Sequence, residues 1–395
     1  MRTCCYGGVL TSIHLPYLFM KITFVLPNLS LTGGMRVLSI YTELLQKRGH
    51  QIFIVSTPVA QPTWLQQLRS LLRGRGWQSA PKTQKSHFDK VDVEIRVLET
   101  YRPITDLDVP DADIIMATWW ETAEWVAKLS PSKGTKVYFL QHYEAFDYIP
   151  KGRVEATWRL PMHKIAVAQW LADIARNEYG DLSVSLVPPT VDTKQFYDPH
   201  SRSKQPRGKQ LVPTVGMYYT TTPWKGCDIA LKAFSIAAKK IPNLCLVAFG
   251  GGGDTPAPNV LPEGTEYNKE PAQDQLKEFY SKCDAWLFAS RSEGFGLPII
   301  EAMACGTPVI GTPAGAAPEL LAGGGGILVK PEDPEDMAKA IEQICQLSDA
   351  EWRAMSETAL ETVINYTWED ATNLFEAALY AALERQAQLT NKTYN

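Results

Sequence analysis

Nowhere does the sequence hold the run of about 18 apolar residues that a membrane-crossing helix needs, so no helical span is read from it. It has no CxxC pair and no metal-ligand spacing among its seven cysteines, Cys4, Cys5, Cys227, Cys245, Cys283, Cys305 and Cys345. An odd number without a framework excludes a disulfide scaffold and fits a reducing compartment, here the cytoplasm. The last five sit in apolar runs, where a free cysteine behaves as a small hydrophobe. A dominant charge sign is also missing. Lys and Arg number 39 against 43 Asp and Glu, a net charge of -4, which argues against a polyanion-binding surface and a nucleic-acid partner. What is present, 45% hydrophobic and 21% charged residues over 395 positions, is the balance of an ordinary globular chain long enough for more than one domain.

Residues 1–20 are mildly apolar, but His14 and Pro16 interrupt them and no small-residue cleavage site follows. They read as a disordered extension or an early start codon rather than a signal peptide. From Lys21 short apolar runs alternate with helical spacing. The expected strands are Ile22–Leu26, Gln51–Ser56, Val93–Val97, Ile114–Ala117, Val137–Leu140, Ile165–Ala168 and Val184–Val187. Continuous apolar strands alternating with helices imply a parallel sheet covered on both faces. A polar, proline-bearing stretch from Asp198 to Pro213 reads as a linker. A second series then follows, with strands at Leu211–Gly216, Leu244–Phe249, Ala285–Ala289, Val309–Gly311 and Ile327–Val329 and a helical tail from Pro334 to about Gln388. The expectation is therefore an α/β chain of two Rossmann-like domains, 21–200 and 201–370, facing each other across a cleft. A final helix over 371–395 is expected to cross back to the first domain. Ligands in such sheets bind beyond the carboxyl ends of the strands.

The segment from Ser290 to Ile310 carries the most chemistry. Gly294 and Gly296 let the backbone turn tightly and approach a ligand. Pro298 fits the first turn of a helix, and the unpaired N–H groups of that turn make an anion site. Glu293 lies just before the turn and Glu301 one turn into the helix. Carboxylates can each accept two hydroxyl hydrogen bonds, so the pair suits sugar hydroxyls on either side of a diphosphate.

In this context, EGFGLPxxEAMACGTPVI, the spacing from Glu293 to Glu301 resembles the signature of retaining GT-B glycosyltransferases of family 4, also called group 1. The resemblance runs from Lys21 onward and is strongest from Val212 to Asp333. It implies a GT-B fold, a nucleotide-diphosphate sugar as donor, a saccharide, lipid-linked or small-molecule hydroxyl as acceptor, retention of configuration, and neither a metal nor a cofactor. It further implies that Gly33 and Gly34 let donor and acceptor approach the backbone, that His142 faces the reacting sugar, and that Lys225 before Gly226 neutralises the leaving diphosphate. Lys225, Glu293 and His142 are the expected catalytic set. Gly33, Gly34, Thr221, Thr222, Arg291, Gly294, Phe295, Gly296, Leu297 and Glu301 are the expected substrate-binding set, with Glu301 on the ribose.

Two departures stand out. Met217 lies where the family usually has an arginine after the glycine matched by Gly216, so Thr220–Thr222 or Arg291 is expected to substitute. Pro189-Thr190 lies where Asn-Gly is common. Glu319 and Asp333 are read as structural. Two other enzymatic and non-enzymatic readings stay open, a nucleotide-sugar epimerase on this fold and a nucleotide-sugar-binding pseudoenzyme.

Several features invite a bland reading. Gly250–Gly253 precedes Pro256 and Pro258, not a helix, and is no dinucleotide fingerprint. Asp106-Leu-Asp108 and Asp111-Ala-Asp113 look like metal motifs but read as loop chemistry. Trp119, Trp120 and Trp125 read as helix core. Trp64, Leu65, Leu68, Leu71 and Leu72 fall on one helix face beside Arg69 and Arg73, with Arg75, Lys82, Lys85 and Lys90 following and only Asp89 opposed. Such a helix either packs on its own domain or lies on an anionic membrane surface.

Overall fold

The computed structural model describes residues 19–62, 64–72, 74, 76–77, 85–144, 146, 148–199, 207–251, 256–257 and 260–393. The N-terminal extension up to residue 18, Arg73, Arg75, Lys82 and residues 200–206 of the linker lie outside these residues.

Two parallel sheets organise the chain. The first takes β1 (Lys21–Leu26), β2 (Gln51–Ser56), β3 (Glu94–Val97), β4 (Ile114–Ala117), β5 (Thr135–Leu140), β6 (His163–Ala166) and β7 (Ser185–Leu186) in the order β3-β2-β1-β4-β5-β6-β7. Its central strands are buried, β4 throughout and β1 from Ile22 onward, as expected where helices cover both faces. The helices that matter below are α1 (Gly33–Lys47), α2 (Trp64–Leu72), α3 (Trp120–Lys128), α4 (Lys151–Trp158) and α5 (Gln169–Asn177). Trp120 and Trp125 are buried in α3.

The second sheet has the order β10-β9-β8-β11-β12-β13, from β8 (Thr214–Tyr219), β9 (Cys245–Gly250), β10 (Glu266–Lys269), β11 (Ala285–Phe288), β12 (Val309–Gly311) and β13 (Gly326–Leu328). Its helices are α6 (Cys227–Ala237), α7 (Leu276–Ser281), α8 (Leu297–Ala304), α9 (Ala317–Leu321), α10 (Pro334–Gln346) and α11 (Asp349–Ile364). The strands differ from the sequence reading in several details, and β6 begins and ends two residues earlier than expected. β8 begins and ends three residues later than expected, because Leu211 and Val212 are exposed and pairing starts at Thr214. β10 was not anticipated, since Glu266–Lys269 is a polar edge strand without an apolar run.

The tail is three helices, the last being α12 (Trp368–Thr393). Its apolar face joins the core of the first domain. Phe375 stacks on Tyr41 of α1 at 4.3 Å and meets Phe139 of β5 edge-on. Glu376 adds polar anchors, accepting from Arg48 at 2.6 Å and contacting His50 at 2.8 Å. The chain thus returns to its first domain after completing the second.

Candidate functional site

The carboxyl end of β11 opens into the loop that carries the signature. Gly296 caps α8 at φ +103, and no side chain caps that helix, which leaves its first turn to an anion. Pro298 occupies the first turn, where its missing N–H costs nothing. Gly294 is fixed by contact: a Cβ there would lie 1.7 Å from the Gln141 carbonyl oxygen at the end of β5. Trp170 of α5 donates its indole N–H to the Gly294 carbonyl at 2.8 Å. Phe295 and Leu297 pack against the cores of both domains. The loop is therefore the seam between the domains as well as the rim of the site.

Lys225 follows β8 in a short turn closed by Gly226 at φ +64. A side chain at Gly226 would strike the Ala289 carbonyl, so only glycine brings this turn against β11. The Lys225 ammonium donates to Glu293 Oε1 at 2.6 Å, and Ser290 donates to the same oxygen at 2.7 Å. His142 reaches this group from the first domain. Its Nδ1 accepts from the Glu144 amide at 2.8 Å, so Nε2 carries the proton and donates to Ser292 Oγ at 3.0 Å. Burial pushes the His142 imidazole down to about 4. Glu293 opposes that shift and Lys225 adds to it. His142 is thus neutral at ordinary pH, and it stacks on Phe146, which lies against Trp224 beside Lys225.

Glu301 is buried one turn into α8. Its Oε1 accepts from Arg36 of α1 at 2.5 Å and its Oε2 from Tyr280 at 2.7 Å. Arg36 also lies over the Phe196 ring at 5.1 Å. Gly33 and Gly34 open α1 on the same side. Added Cβ atoms there would meet Leu297 at 3.1 Å and Gln141 at 2.8 Å, respectively, so this turn sits against the seam.

The structure therefore brings together Lys225, Glu293, His142, Gly33, Gly34, Gly294, Phe295, Gly296, Leu297 and Glu301. Arg291 is engaged elsewhere. Its guanidinium is held by Asp228 at 2.8 Å, by Glu332 at 2.6 Å and by the Pro223 carbonyl, and these contacts occupy its donors. Thr222 accepts from Thr220 through their hydroxyls at 3.0 Å, beside Thr221 at the end of β8. The substitution at Met217 also changes meaning. Met217 is a buried core residue inside β8, so the strand end that faces the cleft is at Tyr219 and Thr220.

The loop carboxylates serve internal partners. Asp108 takes a paired contact from Arg102 at 2.7 Å, Asp106 accepts from the Ser130 amide, Asp111 pairs with Lys133 and Asp113 accepts from the Lys21 amide. Asp333 caps α10. Burial raises the Glu319 carboxyl, with Asp173 adding to the shift.

Sequence reasoning missed Arg36, Gln141, Trp170, Ser290 and Ser292. Arg36 carried a faint signal, since it stands one residue beyond the glycine pair's immediate neighbour in the first turn of α1. Gln141 and Trp170 carried none, because their roles depend on the two domains meeting.

Residues 201–361 match the model of the family described as glycosyl transferases group 1. A D-inositol 3-phosphate glycosyltransferase of Stackebrandtia nassauensis is 28% identical over 240 residues, 56% of this chain and 53% of the relative. Its counterpart from Corynebacterium kroppenstedtii is 30% identical over 223 residues, 50% of this chain and 48% of the relative. The chain thus spans about half the length of the curated relatives it matches. Among solved structures, Anabaena Alr3699/HepE in complex with UDP and glucose aligns with a TM-score of 0.66 at 19% identity, covering 91% of this chain and 99% of that one. Sucrose-phosphate synthase (tll1590) from Thermosynechococcus elongatus aligns at 0.62 with 17% identity, covering 95% and 99%. The fold is GT-B.

Proposed function

From the match of residues 201–361 to the group 1 glycosyltransferases, we propose that this chain moves a sugar from a nucleoside diphosphate sugar to a hydroxyl acceptor with retention of configuration. The observation that carries the reading is the meeting of Lys225, Glu293 and His142 at the open N-terminus of α8. A diphosphate entering there meets a fixed cation and the helix dipole together. The HepE structures in complex with UDP and with UDP-glucose make a uridine nucleotide the first donor to try.

The chemistry asks little covalent work of the protein. The bond from the anomeric carbon to the phosphate oxygen breaks as the acceptor oxygen bonds to that carbon on the same face. The acceptor's proton passes to the departing phosphate oxygen. Charge on that oxygen grows through the transition state, so Lys225 and the α8 N-terminus act where they lower the barrier. For this, Lys225 exchanges its contact with Glu293 for the phosphate, and Glu293 turns to a donor-sugar hydroxyl. Neutral His142, held in one tautomer, offers N–H to a hydroxyl or to Ser292 without taking a proton of its own. Glu301 takes the ribose hydroxyls, and the first domain takes the acceptor. No resident metal is assigned in this scheme, and the place of action is the cytoplasm, as the cysteine pattern suggested.

The test has two stages. A thermal-shift screen of uridine, guanosine, adenosine and thymidine diphosphates identifies the base, because a ligand of the native state must raise the melting temperature. Nuclear magnetic resonance of the matching sugar nucleotide, with and without acceptor, then follows diphosphate release and the anomeric signal. Release with an α-to-α product supports the reading. A C-epimerised nucleotide sugar without acceptor points to an epimerase, and binding without turnover points to a pseudoenzyme.

A further inference from the structure

α2 is built inside out. The residues it turns to the protein are polar: Gln67 and Ser70 are 5% and 9% exposed, and Ser70 donates to the Gly76 carbonyl at 2.8 Å. Its apolar residues face solvent. Trp64 is 71% exposed, Leu65 61%, Leu68 41%, Leu71 48% and Leu72 80%, and Trp77 just beyond is 69% exposed. Arg69 is exposed at the flank. A helix that stabilised its own domain would have the opposite arrangement. Contiguous apolar surface of this kind marks an interaction site.

The surrounding charge identifies the partner. Between residues 64 and 90 the sequence has Arg69, Arg73, Arg75, Lys82, Lys85 and Lys90 against Asp89, in a chain of net charge -4. A basic stretch that presents leucines between two tryptophans matches the chemistry of an anionic bilayer surface, with aromatic rings at headgroup level and cations on the phosphates. α2 also follows β2 closely, so it hangs from the carboxyl edge of the first sheet, the edge that bears Gly33, Gly34 and His142.

We propose that α2 docks this protein reversibly on an anionic lipid surface, laying its leucine face among the headgroups and holding the first domain's side of the cleft at the bilayer. Resting on the glycosyltransferase reading, this makes the acceptor a lipid-anchored hydroxyl presented at the membrane. A single helix with a few cations binds reversibly, and the attraction falls with salt because Arg69, Lys85 and Lys90 are exposed.

The experiment is co-sedimentation of the full chain with phosphatidylcholine vesicles containing phosphatidylglycerol, or with pure phosphatidylcholine vesicles, at low and high salt. Three proteins are compared: wild type, Leu68→Gln/Leu72→Gln and Arg69→Gln/Arg73→Gln/Arg75→Gln. Leu68, Arg69 and Leu72 lie on α2, away from Lys225, Glu293 and Glu301, and melting temperature and nucleoside diphosphate binding serve as folding controls for every variant. The wild type is expected to sediment with anionic vesicles only, and each variant to bind at least about tenfold more weakly. Absence of binding at low salt overturns the proposal, as does equal binding by all three proteins. A wild-type dimer in light scattering that the leucine variant abolishes, without vesicle binding, assigns the face to a second copy of the chain and also overturns it. Diphosphate binding and turnover are read separately, so failure of docking and failure of the glycosyltransferase reading are distinguishable.

Discussion

Arg36 and Glu301 meet across the cleft, guanidinium Nη1 to carboxylate Oε1 at 2.5 Å. One belongs to α1 of the first domain and the other to α8 of the second. Both are well buried, at 16% and 8% side-chain exposure, and this contact fills the carboxylate that the ribose is expected to use. Arg36 supplies the countercharge to a buried carboxylate whose other partner is the neutral Tyr280 hydroxyl. On the proposed reading, the ribose hydroxyls replace Arg36 when nucleotide binds.

Arg36→Ala should therefore lower the melting temperature of the ligand-free protein and enlarge the rise produced by a nucleoside diphosphate. The variant binds ligand without first breaking a cross-domain ion pair, and the ligand's hydroxyls replace the donor that Glu301 Oε1 has lost. Thermal shift on both proteins measures it. An equal or smaller ligand-induced rise in the variant would show that Arg36 and the nucleotide do not compete for Glu301.

Lys225→Ala should reduce kcat by more than it raises KM for the donor. A cation on a leaving group whose charge grows stabilises the transition state more than the ground state. The same change removes a charge that depresses His142, so the His142 imidazole should titrate at higher pH in the variant. Steady-state kinetics and histidine proton resonances read the two effects independently.

His163 offers a pH test away from the site. Burial pushes its imidazole down to about 4, with Arg385 adding to the shift. Its Nε2 contacts Ser185 at 2.9 Å. The unfolded chain binds a proton near 6.5 that the folded chain refuses until about 4, so the stability contributed by neutral His163 is present above 6.5 and is lost as pH falls through that window. His163→Gln should flatten the decline between pH 8 and 5 by on the order of 2 kcal/mol. Urea denaturation at several pH values measures it, and parallel slopes for both proteins would contradict it.

Glu144, two residues beyond His142, is fully enclosed, and burial raises its carboxyl well above the usual range. Its Oε2 accepts from the Trp120 amide at 2.8 Å. A neutral acid in that place resembles an amide. Glu144→Gln should cost less than about 1 kcal/mol, whereas Glu144→Ala, which strips the acceptor from a buried N–H, should cost about 1–3 kcal/mol. Chemical denaturation of both variants decides it.

Much of this arrangement was legible in the sequence, for identifiable physical reasons. Buried parallel strands such as β4 and β11 are unbroken apolar runs, and Gly294, Gly296 and Pro298 announce a turn into a helix before any coordinates exist. The start of β8 was misread because Leu211 and Val212 are apolar yet exposed, and apolarity alone cannot distinguish an approach from a strand. β10 escaped because an edge strand needs no apolar run. In the site, Lys225, Glu293 and Glu301 lie within one domain and follow local spacing. Arg36, Gln141 and Trp170 act only because the domains close on each other, and the acids that hold Arg291, Asp228 and Glu332, were not foreseen because they come from distant turns. The inverted face of α2 was equally invisible, since a helical pattern gives the two faces but not which one turns inward.

The central claim, a nucleoside diphosphate seated between Lys225 and Glu301, is tested most directly by isothermal titration of the best-binding diphosphate into wild type and Glu301→Gln. A neutral amide is a poorer acceptor for two ribose hydroxyls, so the predicted loss is about 1.5–3 kcal/mol, the range for hydrogen bonds to a charged group. Equal affinity in the two proteins, or no binding of any nucleoside diphosphate to the wild type, would contradict the account.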